Sequence, residues 1–358
     1  MRSPCHPDTM HVPFGSRGKS LERDALIVGA GISGLSCARE LSGAGWGVTV
    51  LEKSRGVGGR CATRRIHGQP VDHGVLFLHG SDAGFIADLD AASPATRIER
   101  WPARVAGAGR PCLPRAFGAR ERRVAWREGV TAFAKHLSAG LDVRLETTVE
   151  AIRAERSGFA VDCAGGVQWR TRCVVLTAPG PQVAALLGRA GESLAVRSAR
   201  AVAEMCATSA CLSVIAAYAG DAPEPGWDVL YPDRSTVLHL VSNESAKRPD
   251  ADRRVLVFQA VPSWSRRWLD RPVDEWTGAI VREAGTTVGP WAASPTEVHS
   301  HRWRFARSSG VEMTAPLLLR DRDHGIMAIT GESFAPGGGV EGAWVAGREL
   351  ARRLVSES

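Results

Sequence analysis

The sequence predicts an α/β protein of two domains: a Rossmann-type dinucleotide-binding domain and a substrate domain built on a mixed sheet. Three observations carry this expectation. A strand–glycine–helix–strand unit runs from Asp24 to Glu52, and a glycine-rich basic loop, Ser54–Arg60, follows it directly. Near the other end of the chain, a strand, a glycine cluster and a helix start occupy Gly325–Gly342. At 358 residues the chain can bury a large core and divide it between two domains.

Taken in order, residues 1–22 are rich in Pro, Gly, His and Ser and lack an apolar segment, so a disordered leader rather than a signal peptide is expected. Ala25–Val28 is a short apolar run of strand type. Gly29, Gly31 and Gly34 then form G-x-G-x-x-G, and Leu35, Ala38 and Leu41 recur at helical spacing. Gly43 and Gly45 stop the helix, and Val48–Leu51 reads as a second strand ending at Glu52. Gly29 allows the tight turn, Gly31 the approach of a pyrophosphate, and Gly34 close helix–strand packing. The free N–H groups of the helix start would face the phosphates. Glu52 stands where a carboxylate accepts from ribose hydroxyls and repels a 2′-phosphate, which favours FAD or NAD over NADP. In the loop Ser54–Arg60, glycines let the main chain lie against a cofactor and arginine can fork onto phosphate.

Beyond this loop, a strand-like pair surrounds His67-Gly68, Asp72-His73-Gly74 precedes Val75–Gly80, and the pattern breaks up from Phe85 to Arg123. Gly129–Leu137 reads as a short amphipathic helix, followed by a β-rich stretch from Val143 to Trp169 and a buried strand at Cys173–Pro179. Residues 181–320 alternate helices and strands. The expected partition is nucleotide domain at 23–75, 127–180 and 321–358, and substrate domain at 76–126 and 181–320.

The net charge is +7, carried almost wholly by arginine, since Lys19, Lys53, Lys135 and Lys247 are the only lysines. The arginines are interleaved with acids and no nucleic-acid module is recognisable, so a solvated face and a small, anionic substrate are expected rather than nucleic acid. Eight cysteines without a C-x-x-C pair point to a reducing compartment, and no apolar run reaches the length of a membrane span. A cytoplasmic protein is expected. Composition leaves the oligomeric state open.

The motifs resemble the renalase-like branch of the flavin amine oxidase superfamily. Arg55–Arg60 is similar to its R-x-G-G-R element, and the likeness continues through Gly58-Gly59-Arg60-Cys-Ala-Thr-Arg-Arg65, Asp72-His73-Gly74 and Val174–Pro179. Asn243–Lys247, His301–Ala306 and Gly338–Trp344 narrow it to the branch. The resemblance implies a bilobed fold with FAD between the lobes, two-electron oxidation of a small dihydronicotinamide-type substrate, and oxygen as acceptor. It implies that Gly29, Gly31, Ile32, Ser33, Gly34, Glu52, Lys53, Arg55, Gly59, Arg60, Val149, Gly331, Glu332, Val340, Glu341 and Gly342 hold the FAD.

Departures from the superfamily pattern are informative. Gly339 stands where amine oxidases usually carry one wall of an aromatic cage, and no cysteine lies between Gly325 and Ser358 to tether the flavin. Leu76-Phe-Leu-His-Gly80 resembles polyamine oxidases instead, which makes an amine or polyamine oxidase the closest rival. A flavin-binding redox sensor without turnover is the rival from another class.

Three side chains are candidates for chemistry. His79 could accept or orient a substrate proton, or be a histidine satisfied at a strand end. Lys247 could hold a water beside flavin N5, as lysines do in related oxidases, or be solvated. Trp303 could line the cleft, or pack in the core. Glu297, His299 and His301 alternate on one strand face, but no fourth ligand converges, so no metal is expected. There is no G-x-S-x-G elbow for a hydrolase.

Overall fold

The computed structural model describes residues 21–109, 111, 114–189, 193–321 and 323–357. The expected leader lies outside these residues except at its end, where the first strand, β1 (Leu21–Val28), begins two residues before the expected boundary. Cys5 and Cys112 also lie outside them.

After β1 come α1 (Ile32–Gly43) and β2 (Val48–Leu51), the predicted unit. The hairpin β3 (Thr63–Ile66)–β4 (Gln69–Asp72) turns at His67-Gly68, with His67 and Gly68 both at positive φ. β5 (Leu78–Gly80) precedes the stretch Phe85–Arg123 where the sequence pattern breaks up, which holds most of α2 (Ala83–Ala91), β6 (Arg97–Glu99), β7 (Val105–Ala106) and the start of β8 (Arg122–Trp126). Next are α3 (Thr131–Ser138), β9 (Asp142–Arg144), the hairpin β10 (Val149–Glu155)–β11 (Gly158–Cys163), and β12 (Gln168–Leu176). α4 (Gly180–Leu187) and α5 (Leu194–Met205) lead into the long β13 (Thr208–Tyr218). β14 (Val229–Leu230), β15 (Leu238–Asn243), β16 (Arg254–Ala260), α6 (Pro262–Trp268), α7 (Val273–Thr287) and β17 (Glu297–Ser308) follow. β18 (Leu317–Asp321), β19 (Gly325–Ile329) and α8 (Gly339–Ser356) close the described chain.

The first sheet has the parallel order β9-β2-β1-β12-β19, with β18 antiparallel at the edge. β12 is shared lengthwise: Gln168–Thr171 pairs with β11, and Cys173–Leu176 pairs with β19. One face of this sheet packs on α1, α3 and α8, and the other on α4 and α5. Helices on both faces explain why Ala25–Val28 and Cys173–Leu176 read as unbroken apolar runs rather than alternating ones. α1 and α8 meet backbone to backbone, since a Cβ on Gly347 would lie 2.2 Å from the Ser33 carbonyl.

The second sheet, β17-β13-β16-β15-β14-β7, is antiparallel apart from the β14–β7 pair. Alternation along β13 sends Leu212, Val214 and Ala216 toward α6 and α7, and Ile215 and Ala217 toward the β3–β4 hairpin, Leu76 and Trp101. Segment 76–126 is divided between the lobes: α2, Leu78, Val124 and Trp126 share the core of α1 and α3, whereas β7 joins the second sheet. α4, α5 and β18 likewise belong to the first sheet's layers.

Candidate cofactor and active site

The glycine motif folds as its chemistry requires. Gly29 sits at φ 114°, and a Cβ on Gly34 would lie 2.1 Å from the Gly29 carbonyl, so helix and strand approach as only glycine permits. A Cβ on Gly31 would meet nothing within 4 Å, which leaves open space at the helix start. Ile32 and Ser33 begin α1 buried, their amides in the turn that has no intrahelical partner. Gly58 N–H donates to the Ala30 carbonyl at 2.8 Å, laying the Ser54–Arg60 loop against the Gly29–Gly34 turn. Gly59 sits at φ 55°. Lys53 and Arg55 are exposed beside it.

Glu52 is buried at the end of β2. Its carboxylate accepts from Ala30 N–H and Ser54 N–H, both at 2.8 Å, so it ties the two cofactor loops together while keeping lone pairs for another donor. The chain at Glu146-Thr147 bonds back to Ser54 and Glu52, which brings half-buried Val149 to the same rim.

The C-terminal element closes the other side. Arg60 pairs with Glu332, bridging the basic loop and the turn after β19, and donates to the Ala306 carbonyl at 3.3 Å. Gly331 and Glu332 line a small pocket with Arg60, Thr177, Gly180 and Ser308. Gly337, Gly338 and Gly339 all have positive φ (79°, 54° and 69°), a turn that leads into α8; the Gly337 N–H donates to the Glu312 carboxylate and the Gly338 N–H to the Ala335 carbonyl at 3.2 Å. Val340, Glu341 and Gly342 form the first turn of α8. The Glu341 carboxylate accepts from Ser81 and Asp82 N–H, both at 2.6 Å, and so fastens the end of β5 to this helix start.

Trp303 is part of an aromatic cluster beside the cradle. Its indole N–H donates to the His73 carbonyl at 3.0 Å and its ring stacks on His73 at 5.3 Å, with the His301 ring 4.2 Å away. A Cβ on Gly74 would lie 2.3 Å from the Arg60 carbonyl and 2.9 Å from Trp303, so glycine is required where this segment passes the loop. Ser213 donates to the His73 carbonyl at 3.1 Å and Gln259 to the Gly74 carbonyl at 2.6 Å, pinning the segment to the second sheet. Burial, with smaller pushes from His301 and Arg64, depresses His73 to about 3, so it is a neutral imidazole. Burial and Arg64 also lower His301. His73 Nδ1 is buried and has no partner.

Lys247 departs from both alternatives read from the sequence. It is not solvated but buried, and its ammonium donates to Asp72 at 2.8 Å, Glu244 at 2.8 Å and the Leu76 carbonyl at 2.7 Å. All three N–H donors are consumed and the Trp101 face covers the charge at 4.2 Å, so none remains for a water at the flavin. Asp72 Oδ1 in turn accepts from the Thr63 hydroxyl and from Val130 N–H. This cluster sets the position of Asp72-His73-Gly74.

His79 lies in the sheet β5-β8-β6, next to the Ser81-Asp82 turn that Glu341 holds. Its Nδ1 is 2.8 Å from Glu121 Oε2, and Arg115 reaches both Glu121 at 3.6 Å and Glu341 at 3.8 Å. A neutral imidazole donating through Nδ1 carries its lone pair on Nε2. Its partner is thus a side chain rather than the backbone. Glu297, on β17, accepts from His67 and from His299 at 2.7 Å, and His301 turns instead to His73 and Trp303.

A family profile described as flavin containing amine oxidoreductase matches residues 99–355. The chain belongs to this family. A second profile, an NAD(P)-binding Rossmann-like domain, matches residues 27–89. Probable polyamine oxidase 4 of Arabidopsis thaliana is 40% identical over 78 residues, 22% of this chain and 15% of that protein. An L-amino-acid oxidase of Echis ocellatus is 55% identical over 51 residues, 14% of this chain and 10% of its own. These alignments therefore span a small fraction of each relative. Among solved structures, putrescine oxidase bound to putrescine superposes with a TM-score of 0.71 at 18% identity, covering 94% of this chain and all of that one. Cyclohexylamine oxidase from Brevibacterium oxydans gives 0.69 at 16%, covering 94% of this chain and 99% of its own. The shared feature is the two-lobed flavin amine oxidase fold. The matches establish the wider superfamily rather than its renalase-like branch.

FAD is the cofactor of this amine oxidoreductase family, and the residues here fit it: an open space at Gly31, a free helix start and a buried carboxylate at Glu52. Two residues of the site carry little signal in the sequence. His73 is visible there only as part of Asp72-His73-Gly74, and His301 only as an alternating histidine. Gln259 carries none, because a polar residue in an otherwise apolar strand acquires meaning only when the facing carbonyl is known.

Proposed function

We propose that the protein is an FAD-dependent oxidase that takes a hydride from a small neutral or anionic substrate, held between the Arg60 loop and the β13–β16–β17 face. The observation supporting this is the chemistry of that face. His301, Trp303 and Arg307 line it from β17, while Ser213 and Gln259, beside His301 across the three strands, are buried and hold the His73 and Gly74 carbonyls. None of these residues is acidic. A dication entering there would lose hydration without gaining a counter-charge.

Bound FAD supplies the two-electron acceptor. The protein's part is orientation: Trp303 offers a flat apolar wall, neutral His73 and His301 offer hydrogen bonds without charge, and the buried Nδ1 of His73 awaits a polar group. At Gly339 a Cβ would meet nothing within 4 Å, so the wall that a cage aromatic would form is open and a broad, flat substrate fits better than a thin alkylamine. A dihydronicotinamide-type donor combines flatness, anionic phosphates and a ready hydride. The net charge of +7 suits it. Oxygen is the acceptor in this reading.

The second reading, an amine oxidase, is favoured by His79. An imidazole oriented by Glu121 is placed to take a proton from an ammonium substrate. Anaerobic mixing of the FAD-loaded protein with a panel of dihydronicotinamides, mono- and polyamines and amino acids distinguishes the readings. Bleaching by dihydronicotinamides supports the first, and bleaching by amines alone overturns it. If no compound bleaches the flavin while dithionite does, a redox sensor is the better description.

A further inference from the structure

A cavity of about 310 Å³ lies apart from the cofactor cradle, between the residues before β7, the turn at Ser245–Pro249 and the start of β16. We propose that this cavity binds a small molecule through its phosphoryl groups. Arg104, Arg248, Arg253 and Arg254 line it with one acid, Glu224, while Asp228 and Glu244 behind the lining pair with Arg104 and Arg248.

The guanidinium groups are held in place rather than free to collapse onto neighbours. Arg248 is 9% exposed; its Nε donates to the Arg127 carbonyl at 2.6 Å and its Nη1 to the Glu244 carbonyl at 3.1 Å. Its Nη2 is buried without a partner. Arg254 repeats the pattern: its Nε is buried and unpartnered, and its Nη2 is 4.0 Å from the largely exposed Glu224. Arg104 is fixed by Asp228 through bonds of 3.1 and 2.8 Å. The ion pairs fix Arg104 and Arg248 in place, and Arg253 and Arg254, with Glu224 only at 4.0 Å from Arg254, present guanidinium charge to the cavity.

The ligand chemistry follows from charge and shape. Planar guanidinium forks match phosphate and carboxylate oxygens in pairs. Several forks around one space call for a ligand with more oxygens and more charge than one carboxylate provides, and a phosphoryl group carries three acceptor oxygens and nearly two charges. No aromatic side chain lines the cavity, so there is nothing to stack on a base. Recognition would therefore centre on the phosphoryl end. The volume falls at the lower end of the range for small-molecule pockets.

The test is calorimetric titration of the FAD-loaded protein with inorganic pyrophosphate at low salt. We expect one saturable site per chain, weakened by added salt. Arg253→Gln combined with Arg254→Gln should lower affinity about tenfold or more, since charge-assisted bonds are lost. Arg153→Gln, on β10 in the first sheet, should leave it unchanged. FAD content and circular dichroism matching wild type show that the double variant is folded. The proposal is overturned by no saturable heat, by equal affinity in the double variant, or by binding that appears only after FAD is removed, which assigns pyrophosphate to the cofactor cradle. Citrate binding as tightly as pyrophosphate overturns the phosphoryl assignment. Substrate oxidation is not read, so failure of the proposed function leaves this test intact.

Discussion

Replacing Lys247 with Met removes the cation at the centre of the Asp72–Glu244 cluster while keeping most of its volume. The two carboxylates it served are fully buried. Arg248 remains 3.3 Å from Glu244, but Asp72 is left with Thr63 and Val130 alone. Breaking a buried ion pair by removing one partner costs about 3–5 kcal/mol. For a protein of this size that lowers Tm by roughly 4–7 °C. The pH dependence gives a second handle. Burial already raises Asp72, against the lowering effect of Lys247; without the ammonium it rises further above its unfolded value, so the folded state takes up the proton first and the deficit shrinks as pH falls. Differential scanning fluorimetry of the FAD-loaded variant from pH 5 to 8 reads both effects. Flavin reduction and its reoxidation by oxygen, measured well below Tm, should stay near wild type. Unchanged Tm together with slowed reoxidation would refute the structural assignment and place the ammonium at the flavin.

Gly31→Val should fold normally yet lose FAD, because a Cβ there meets no protein atom but enters the cofactor space; Gly34→Ala should destabilise the fold itself, its Cβ striking the Gly29 carbonyl. FAD content and Tm, measured on both, separate the two, and full FAD occupancy in Gly31→Val refutes the cradle. His79→Ala should slow flavin reduction by an amine but leave reduction by a dihydronicotinamide nearly unchanged, with FAD content constant; equal loss of FAD and activity places His79 in the scaffold. Neutral, buried His73 contributes stability that is complete above its unfolded value and lost as pH falls from about 6.5 toward about 3. The loss amounts to about 5 kcal/mol at most, and urea titrations of wild type and His73→Gln across that range should converge at acid pH. Heat or acid should release the flavin into solution, since no cysteine lies in the C-terminal element to hold it covalently; flavin retained by precipitated protein refutes this.

The parts of the site that are local in sequence were legible in it. Gly29, Gly31, Gly34 and Glu52 lie within one strand–helix–strand unit, where spacing dictates geometry, and the structure brings them together as the spacing implies. Arg60 and Glu332 were each readable, but their pairing across 272 positions was not. Lys247 shows why. Its neighbours Asn243–Arg254 are hydrophilic, which predicts a solvated surface, yet the ammonium is buried because Asp72, 175 positions away, joins the local Glu244 in supplying counter-charge. The Asp72 partner that completes this burial lies in no local window. The same holds for segment 76–126, whose weak pattern reflects short elements serving two lobes at once.

The divided pairing of β12 has a consequence for how the chain is made. Its apolar half, Cys173–Leu176, is completed only when Gly325–Ile329 arrives, after the whole second sheet has been synthesised. At ordinary rates of translation the wait lasts roughly 7–30 s. Throughout it the nascent chain carries an open, uncharged strand edge of the kind that pairs with other chains. Ribosome-bound chains ending just before β19 should thus be chaperone clients, and those extended beyond α8 should be released from that dependence.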